Sequence, residues 1–273
     1  MPGLKSSVLG FGCASVLGAV DAKTARVALH AALDAGITHF DLARSYGYGE
    51  AEEFVGGQLA GVRDNLVLVT KFGIQATAAA ALLGPFKPVL RLVRVRQAPP
   101  AAQLCVTAPS PSTGRLGGWL HRSLPMTAAT MRGSLERSLR ALRTDRVDFL
   151  LMHEPPDISH LPALRACADE LKREGKIRGW GLASFEDALP KGGVPGDLDV
   201  WQTSVPAGPS AYQCLQSPVP SKSSLILFSP LRGIPKENAS SRLRQLWHDF
   251  PRAVVLCSMF NPTHIKCNAA SVL

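Results

Sequence analysis

The chain has 273 residues and a mass of 29.1 kDa, with 46% hydrophobic and 19% charged side chains, enough apolar material to bury a core and too little charge for a disordered chain. The formal charge of +9 comes from 30 basic and 21 acidic residues, and no stretch approaches the ~18 consecutive apolar residues of a membrane-spanning helix. Six cysteines (Cys13, Cys105, Cys167, Cys214, Cys257, Cys267) are scattered without a CxxC pair, which argues against a disulfide framework or a zinc ribbon and points to a reducing, cytoplasmic setting.

The first apolar run, residues 8–13, begins a small-residue stretch that follows Lys5 and has the outline of a secretory signal. A helical pattern follows it without a linker, so it reads as a glycine-rich buried strand and its turn. Asp21 can cap that helix, whose apolar stripe is Ala25, Ala28, Leu29, Ala32 and Leu33, and Gly36 supplies a left-handed exit. Strand-like runs follow at residues 37–41 and 66–71.

Between Asn65 and Leu135 there is no Asp or Glu, and eight basic residues (Lys71, Lys87, Arg91, Arg94, Arg96, Arg115, Arg122, Arg132) carry almost the entire net charge. Seven prolines lie between Pro85 and Pro125. The pattern predicts a basic, proline-rich insertion at about 76–126 with a solvated face, and phosphate or cofactor contact as its lesser reading. Aromatic residues are nearly missing there, so no stacking platform for nucleic acid is formed. Neither a nucleic-acid nor a membrane partner is expected.

Thr127 can cap a second helix, with Met131, Leu135, Leu139 and Leu142 on one face. Further strand runs occupy residues 147–153, 179–184, 198–203, 225–229 and 253–258, and a third helix runs from about 161 to 174 with Pro162 in its first turn and Gly175 at its end. Most of the eight runs are apolar at successive positions, as a parallel sheet covered on both faces requires. Eight strands alternating with helices fit a single (β/α)8 TIM barrel spanning 1–273 better than a doubly wound sheet. The weak stretch is 204–224, where Pro206, Pro209, Pro218 and Pro220 leave little room for a sixth helix.

In such a barrel the chemistry sits at the C-terminal strand ends. Asp41 ends the second run, Lys71 the third and His153 the fourth, and Tyr46 follows Asp41 by five residues. A lysine closing an apolar strand needs a carboxylate, and Asp41 is the nearest candidate. Singly, each of these residues is more often structural, a hydrogen-bonded histidine or half of an ordinary ion pair. Together they form a unit, because an ammonium beside a tyrosine favours the phenolate, which predicts a lowered tyrosine pKa and proton exchange near neutral pH.

Four blocks carry a resemblance to the aldo-keto reductase family: 36–47 with Asp41 and Tyr46, 68–71 ending at Lys71, 134–153 ending at His153, and 175–181. The resemblance implies that Tyr46 is the general acid, that Lys71 and Asp41 tune it, and that His153 orients a substrate carbonyl. It also implies hydride transfer from a nicotinamide, NADP with NAD as the alternative, bound across the barrel mouth. Gly10 and Gly12 lack the third glycine of a Rossmann fingerprint. Gly12 is instead expected beside the cofactor, with Gln202 on the carboxamide, Phe228 stacked on the nicotinamide ring, and Ser229 and Leu231 in the diphosphate segment. Two departures stand out. Ala183 and Ser184 replace the usual Ser-Asn pair, leaving Ser184 as the contact, and in the adenosine-phosphate segment of Ser258, His264 and Asn268 a histidine stands where arginine is common, with Lys266 as a compensating charge. Lys236 and Arg242 have a similar spacing but follow Ser229 too closely to leave space for the eighth strand. The reading is an NADP-dependent carbonyl reductase or alcohol dehydrogenase acting on a small molecule as a monomer or weak oligomer. Its rivals are a cofactor-binding regulatory or scaffolding subunit and an aldolase-like barrel with Lys71 as Schiff-base nucleophile.

Overall fold

The computed structural model describes residues 6–82, 120–158, 160–185, 195–205 and 223–272. Ten strands are present among them: β1 (Leu9–Gly12), β2 (His39–Asp41), β3 (Val67–Phe72), β4 (Ile74–Ala76), β5 (His121–Ser123), β6 (Phe149–His153), β7 (Gly179–Ser184), β8 (Val200–Ser204), β9 (Ser224–Phe228) and β10 (Val254–Cys257). Eight of these close into a parallel barrel in the order β1, β2, β3, β6, β7, β8, β9, β10, with β10 pairing back to β1. Each expected strand run contains one barrel strand, displaced by two residues or fewer at either end. The described helices are α1 (Ala22–Asp34), α2 (Ala51–Leu59), α3 (Ala78–Leu82), α4 (Ala128–Leu142), α5 (Leu161–Arg173), α6 (Ala239–Asp249) and α7 (Pro262–Ala270). None of them is long and apolar enough to cross a membrane.

The caps read from the sequence are made. Asp21 accepts hydrogen bonds from the Lys23 and Thr24 backbone N–H groups, and Thr127 accepts from Thr130 N. Gly36 and Gly175 adopt left-handed φ values of 77° and 72° after α1 and α5. Met131, Leu135, Leu139 and Leu142 are buried along α4, as are Ala25, Ala28, Leu29 and Ala32 along α1.

Two apolar layers result. Strand residues of one parity, among them Phe11, Phe40, Leu68, Leu150, Leu182 and Leu227, join the helices in the larger cluster. Residues of the other parity fill the barrel: Val67, Val69, Phe149, Leu151, Ala183, Val200, Ile226 and Leu256. Asp41, Lys71, His153 and Gln202 share this inward parity at the C-terminal rim. Close strand approach depends on Gly181, where a Cβ would lie 1.9 Å from Val200 O.

The expected insertion at about 76–126 leaves the barrel through β4 and returns through β5, which pair antiparallel from Ile74–Ser123 to Ala76–His121. Residues 83–119, including Lys87, Arg91, Arg94, Arg96 and Arg115, lie outside the described residues, as do 206–222, where the sixth helix was in question.

Candidate active site

Three adjacent strands place the central charges. In the parallel register Asp41 pairs with Val69, and Lys71 pairs with Leu151, two residues before His153. Asp41, Lys71 and His153 are all buried. Lys71 Nζ donates to Asp41 Oδ1 at 2.8 Å and Oδ2 at 2.6 Å, to Leu42 O at 2.9 Å and to Tyr46 Oη at 3.0 Å. It also lies 4.8 Å from the centroid of the Tyr46 ring. The Tyr46 and His153 rings meet edge-to-face with centroids 6.2 Å apart. The four residues named from the sequence thus converge at one rim.

Tyr46 is held there by an unusual backbone. Gly47, Tyr48 and Gly49 all have positive φ, at 58°, 61° and 92°, and a Cβ on Gly47 would lie 2.6 Å from Val16 O. The turn is strained for any side chain at Gly47 and re-aims the loop directly after the tyrosine. Below it lies a buried acid that the sequence reading missed. Glu52 accepts from Thr70 Oγ1 at 2.6 Å and forms an ion pair with Arg44, joining the residue before Lys71 to the loop between Asp41 and Tyr46. Only the fold brings Thr70 to Glu52, so no local pattern announced it.

The electrostatics correct one expectation. Burial alone pushes the Lys71 ammonium down, but the Asp41 carboxylate and the Tyr46 oxygen outweigh it, so its pKa lies above the ordinary lysine value. Tyr46 moves opposite to the lowering expected from its lysine neighbour: burial pushes it up to about 12, the pull of Lys71 opposes this, and Asp41 adds to the rise. Removing the phenol from water disfavours the phenolate by more than the neighbouring ammonium favours it. His153 is driven well below 6.5, chiefly by burial and further by the charges of Lys71 and His121. Its imidazole is neutral at neutral pH, and its Nδ1 is buried with no hydrogen-bond partner among the described residues.

The cofactor-side residues divide. Gln202 donates from Nε2 to Asp41 Oδ1 at 3.1 Å, while its Oε1 is buried without a partner among the described residues. Ser184 ends β7 in register with Thr203, and its buried Oγ is likewise without a described partner. Phe228 is half-buried at the end of β9 and meets Phe185 edge-on at 5.1 Å. Ser229 has φ of 55°, and Leu231 packs on the outer apolar layer. Gly12 and Ser258 are neighbours across β1 and β10, with Ser258 Oγ donating to Gly12 O at 3.2 Å. His264 is exposed in the first turn of α7, beside the Asn261 cap. Asn268 is buried, and its amide donates to the Met259 sulfur at 3.2 Å.

Residues 8–189 match the Aldo/keto reductase family. The uncharacterized oxidoreductase YcsN of Bacillus subtilis is 31% identical over 160 residues, covering 57% of this chain and 41% of that protein. A D-threo-aldose 1-dehydrogenase of Pseudomonas sp. is 29% identical over 207 residues, covering 72% and 56% respectively. The chain therefore spans about half the length of these curated relatives. Its fold is similar to that of an aldo-keto reductase from Klebsiella pneumoniae solved in complex with NADPH, with a TM-score of 0.57 at 21% identity, covering 98% of this chain and 86% of that one.

Proposed function

Because the chain belongs to the aldo-keto reductase family, we propose that it is an oxidoreductase that reduces an aldehyde or ketone to the alcohol, or runs the reverse, with NADP preferred over NAD. The observation that carries this reading is one buried ammonium shared between the Asp41 carboxylate and the Tyr46 hydroxyl, beside a neutral His153.

A nicotinamide bound at the rim supplies hydride exchange with the carbonyl carbon. The residues fit it: Gln202 Oε1 and Ser184 Oγ are buried polar atoms without partners among the described residues, suited to a carboxamide, and the half-buried Phe228 would pack on the ring. Ser229 and Leu231 would line the diphosphate, and Ser258 and His264 the adenosine side. The Klebsiella enzyme's NADPH supports the choice of dinucleotide.

Tyr46 keeps its proton throughout the neutral range and delivers it to the carbonyl oxygen. The phenolate left behind faces Lys71 Nζ at 3.0 Å, where the ammonium stabilises it. Asp41 holds that ammonium in place from both carboxylate oxygens. His153, uncharged, donates its ring N–H to the same substrate oxygen and fixes the carbonyl's orientation.

The aldolase-like alternative is disfavoured, because a Schiff-base lysine must be neutral and free to attack, whereas Lys71 is protonated and fully engaged. A regulatory subunit would not need a proton donor poised on a lysine. Replacing Tyr46 with phenylalanine is expected to lower kcat for carbonyl reduction by about 100- to 10,000-fold while NADPH affinity, followed by cofactor fluorescence, is retained. Unchanged turnover would remove Tyr46 from the mechanism, and cofactor binding without turnover on any carbonyl in the unaltered protein would favour the regulatory subunit.

A further inference from the structure

We infer that the N-terminal end of the barrel, opposite Asp41, Lys71 and His153, is a binding site for a small neutral molecule with an apolar body and one hydroxyl group. The assignment does not depend on the nicotinamide reading. Barrels of this kind are filled by layers of side chains. Here a cavity of about 120 Å³ lies among the first residues of five barrel strands, His39, Phe149, Val200, Ser224 and Val254. Buried Phe149, Val200 and Ile226 give it apolar walls, and it opens between Ser6, Ser224 and Arg252, all exposed.

His39 decides the chemistry. The residue is 1% exposed and lines the cavity, and its Nε2 is buried with no hydrogen-bond partner among the described residues. Folding has taken this nitrogen out of water without returning a partner from the chain, whereas buried polar atoms are nearly always paired. The other ring nitrogen is engaged. Nδ1 lies 3.0 Å from Ser6 Oγ, whose own hydroxyl donates to Ser7 O at 3.1 Å. With the serine proton committed there, this pattern assigns the ring N–H to Nδ1 and leaves a lone pair on Nε2. Ser7 fixes the contact, since its Oγ donates to Leu9 O at 2.7 Å and accepts from Thr38 N at 2.9 Å. Burial keeps the ring uncharged, with its pKa pushed down to about 3.

A lone pair in an apolar wall selects its guest. A hydroxyl supplies the proton that Nε2 lacks, and the rest of the molecule must be apolar to replace water on Phe149, Val200 and Ile226. A carboxylate suits the site less well. It brings no proton, its lone pairs would face that of Nε2, and Arg252, the cation that could match it, stands in solvent at the mouth. The size fits a single ring, because a dry cavity of roughly 150 Å³ takes one benzene. Phenol combines these properties and is the probe.

The test is a calorimetric titration of the full chain with phenol, toluene and benzoate, repeated on His39→Leu and Ser224→Trp, with thermal melts to show folding. Phenol should bind saturably, one per chain, about tenfold more tightly than toluene, and more tightly than benzoate. H39L should erase the preference for phenol over toluene. S224W, which plugs the mouth from an exposed position, should abolish binding of both rings, and it decides the matter even if H39L does not fold. Absence of saturable phenol binding would mean that water alone serves Nε2 and would overturn the proposal. Tighter binding of benzoate, equal affinity for phenol and toluene, or phenol binding that survives S224W unchanged would overturn it as well, the last by placing phenol elsewhere on the protein.

Discussion

Lys71 offers three protons to four acceptors, and two of those acceptors belong to one carboxylate. This arrangement makes the pair costly to dismantle from one side. Lys71→Met leaves a buried, unmatched Asp41 and is expected to destabilise the protein by about 3–5 kcal/mol, measured by urea denaturation. Adding Asp41→Asn should return much of that loss; if the double variant were as unstable as the single one, the cost would come from packing and not from charge. The pH dependence belongs to Tyr46. Reduction requires the protonated phenol, which is the form present below its pKa of about 12, so the rate of reduction should stay flat through neutral pH. Oxidation of the alcohol requires the phenolate and should rise toward alkaline pH. A tyrosine-dependent fall in reduction between pH 7 and 9, absent from Tyr46→Phe, would contradict the raised value.

At the scale of elements, the caps and the strand contacts set local stability. Thr127→Ala removes the side-chain oxygen that accepts from Thr130 N and should cost about 1 kcal/mol. Gly181→Ala should cost more, of the order of 1–3 kcal/mol, because its methyl group meets the Val200 carbonyl and β7 and β8 must separate. Thermal melts of the two variants should rank in that order. The two elements also differ in how readable they were. The Thr127 cap is local, a hydroxyl three residues before the N–H it serves, and the sequence announces it. Gly181 reads as one more residue in a strand, and only the approach of β8, brought in from nearly twenty residues further on, explains it.

For the molecule as a whole, the barrel makes acid stability depend on buried histidine. His39 points into the barrel at the opposite end of β2 from Asp41, with Nδ1 3.0 Å from Ser6 Oγ, and burial pushes its pKa down to about 3. The folded state keeps it neutral while the unfolded chain protonates it near 6.5, so the unfolded state binds more protons between these values. Stability is fully present above pH 6.5 and is lost as pH falls toward 3, at up to about 1.4 kcal/mol per pH unit from this residue. Denaturation curves at several pH values should show a shallower acid slope for His39→Gln than for the unaltered protein; equal slopes would mean that the imidazole is protonated inside the fold.

Eight strand runs, four helix-end signals (Asp21, Thr127, Gly36 and Gly175) and the positions of Asp41, Lys71 and His153 at the ends of apolar strands were legible in the amino-acid order. Doubly covered strands must be apolar throughout, and a charged or polar residue at the end of such a run stands out against it. Period and punctuation are local properties, and one chain contains them. What only tertiary structure decided were the quantities that sum over neighbours from distant segments: the rise of the Tyr46 pKa against the pull of its lysine, the tie from Thr70 to Glu52, and the burial of His39 and His153 that keeps both imidazoles neutral. Desolvation and charge coupling depend on every group within a few ångströms, and the folded chain, not sequence order, determines which groups those are.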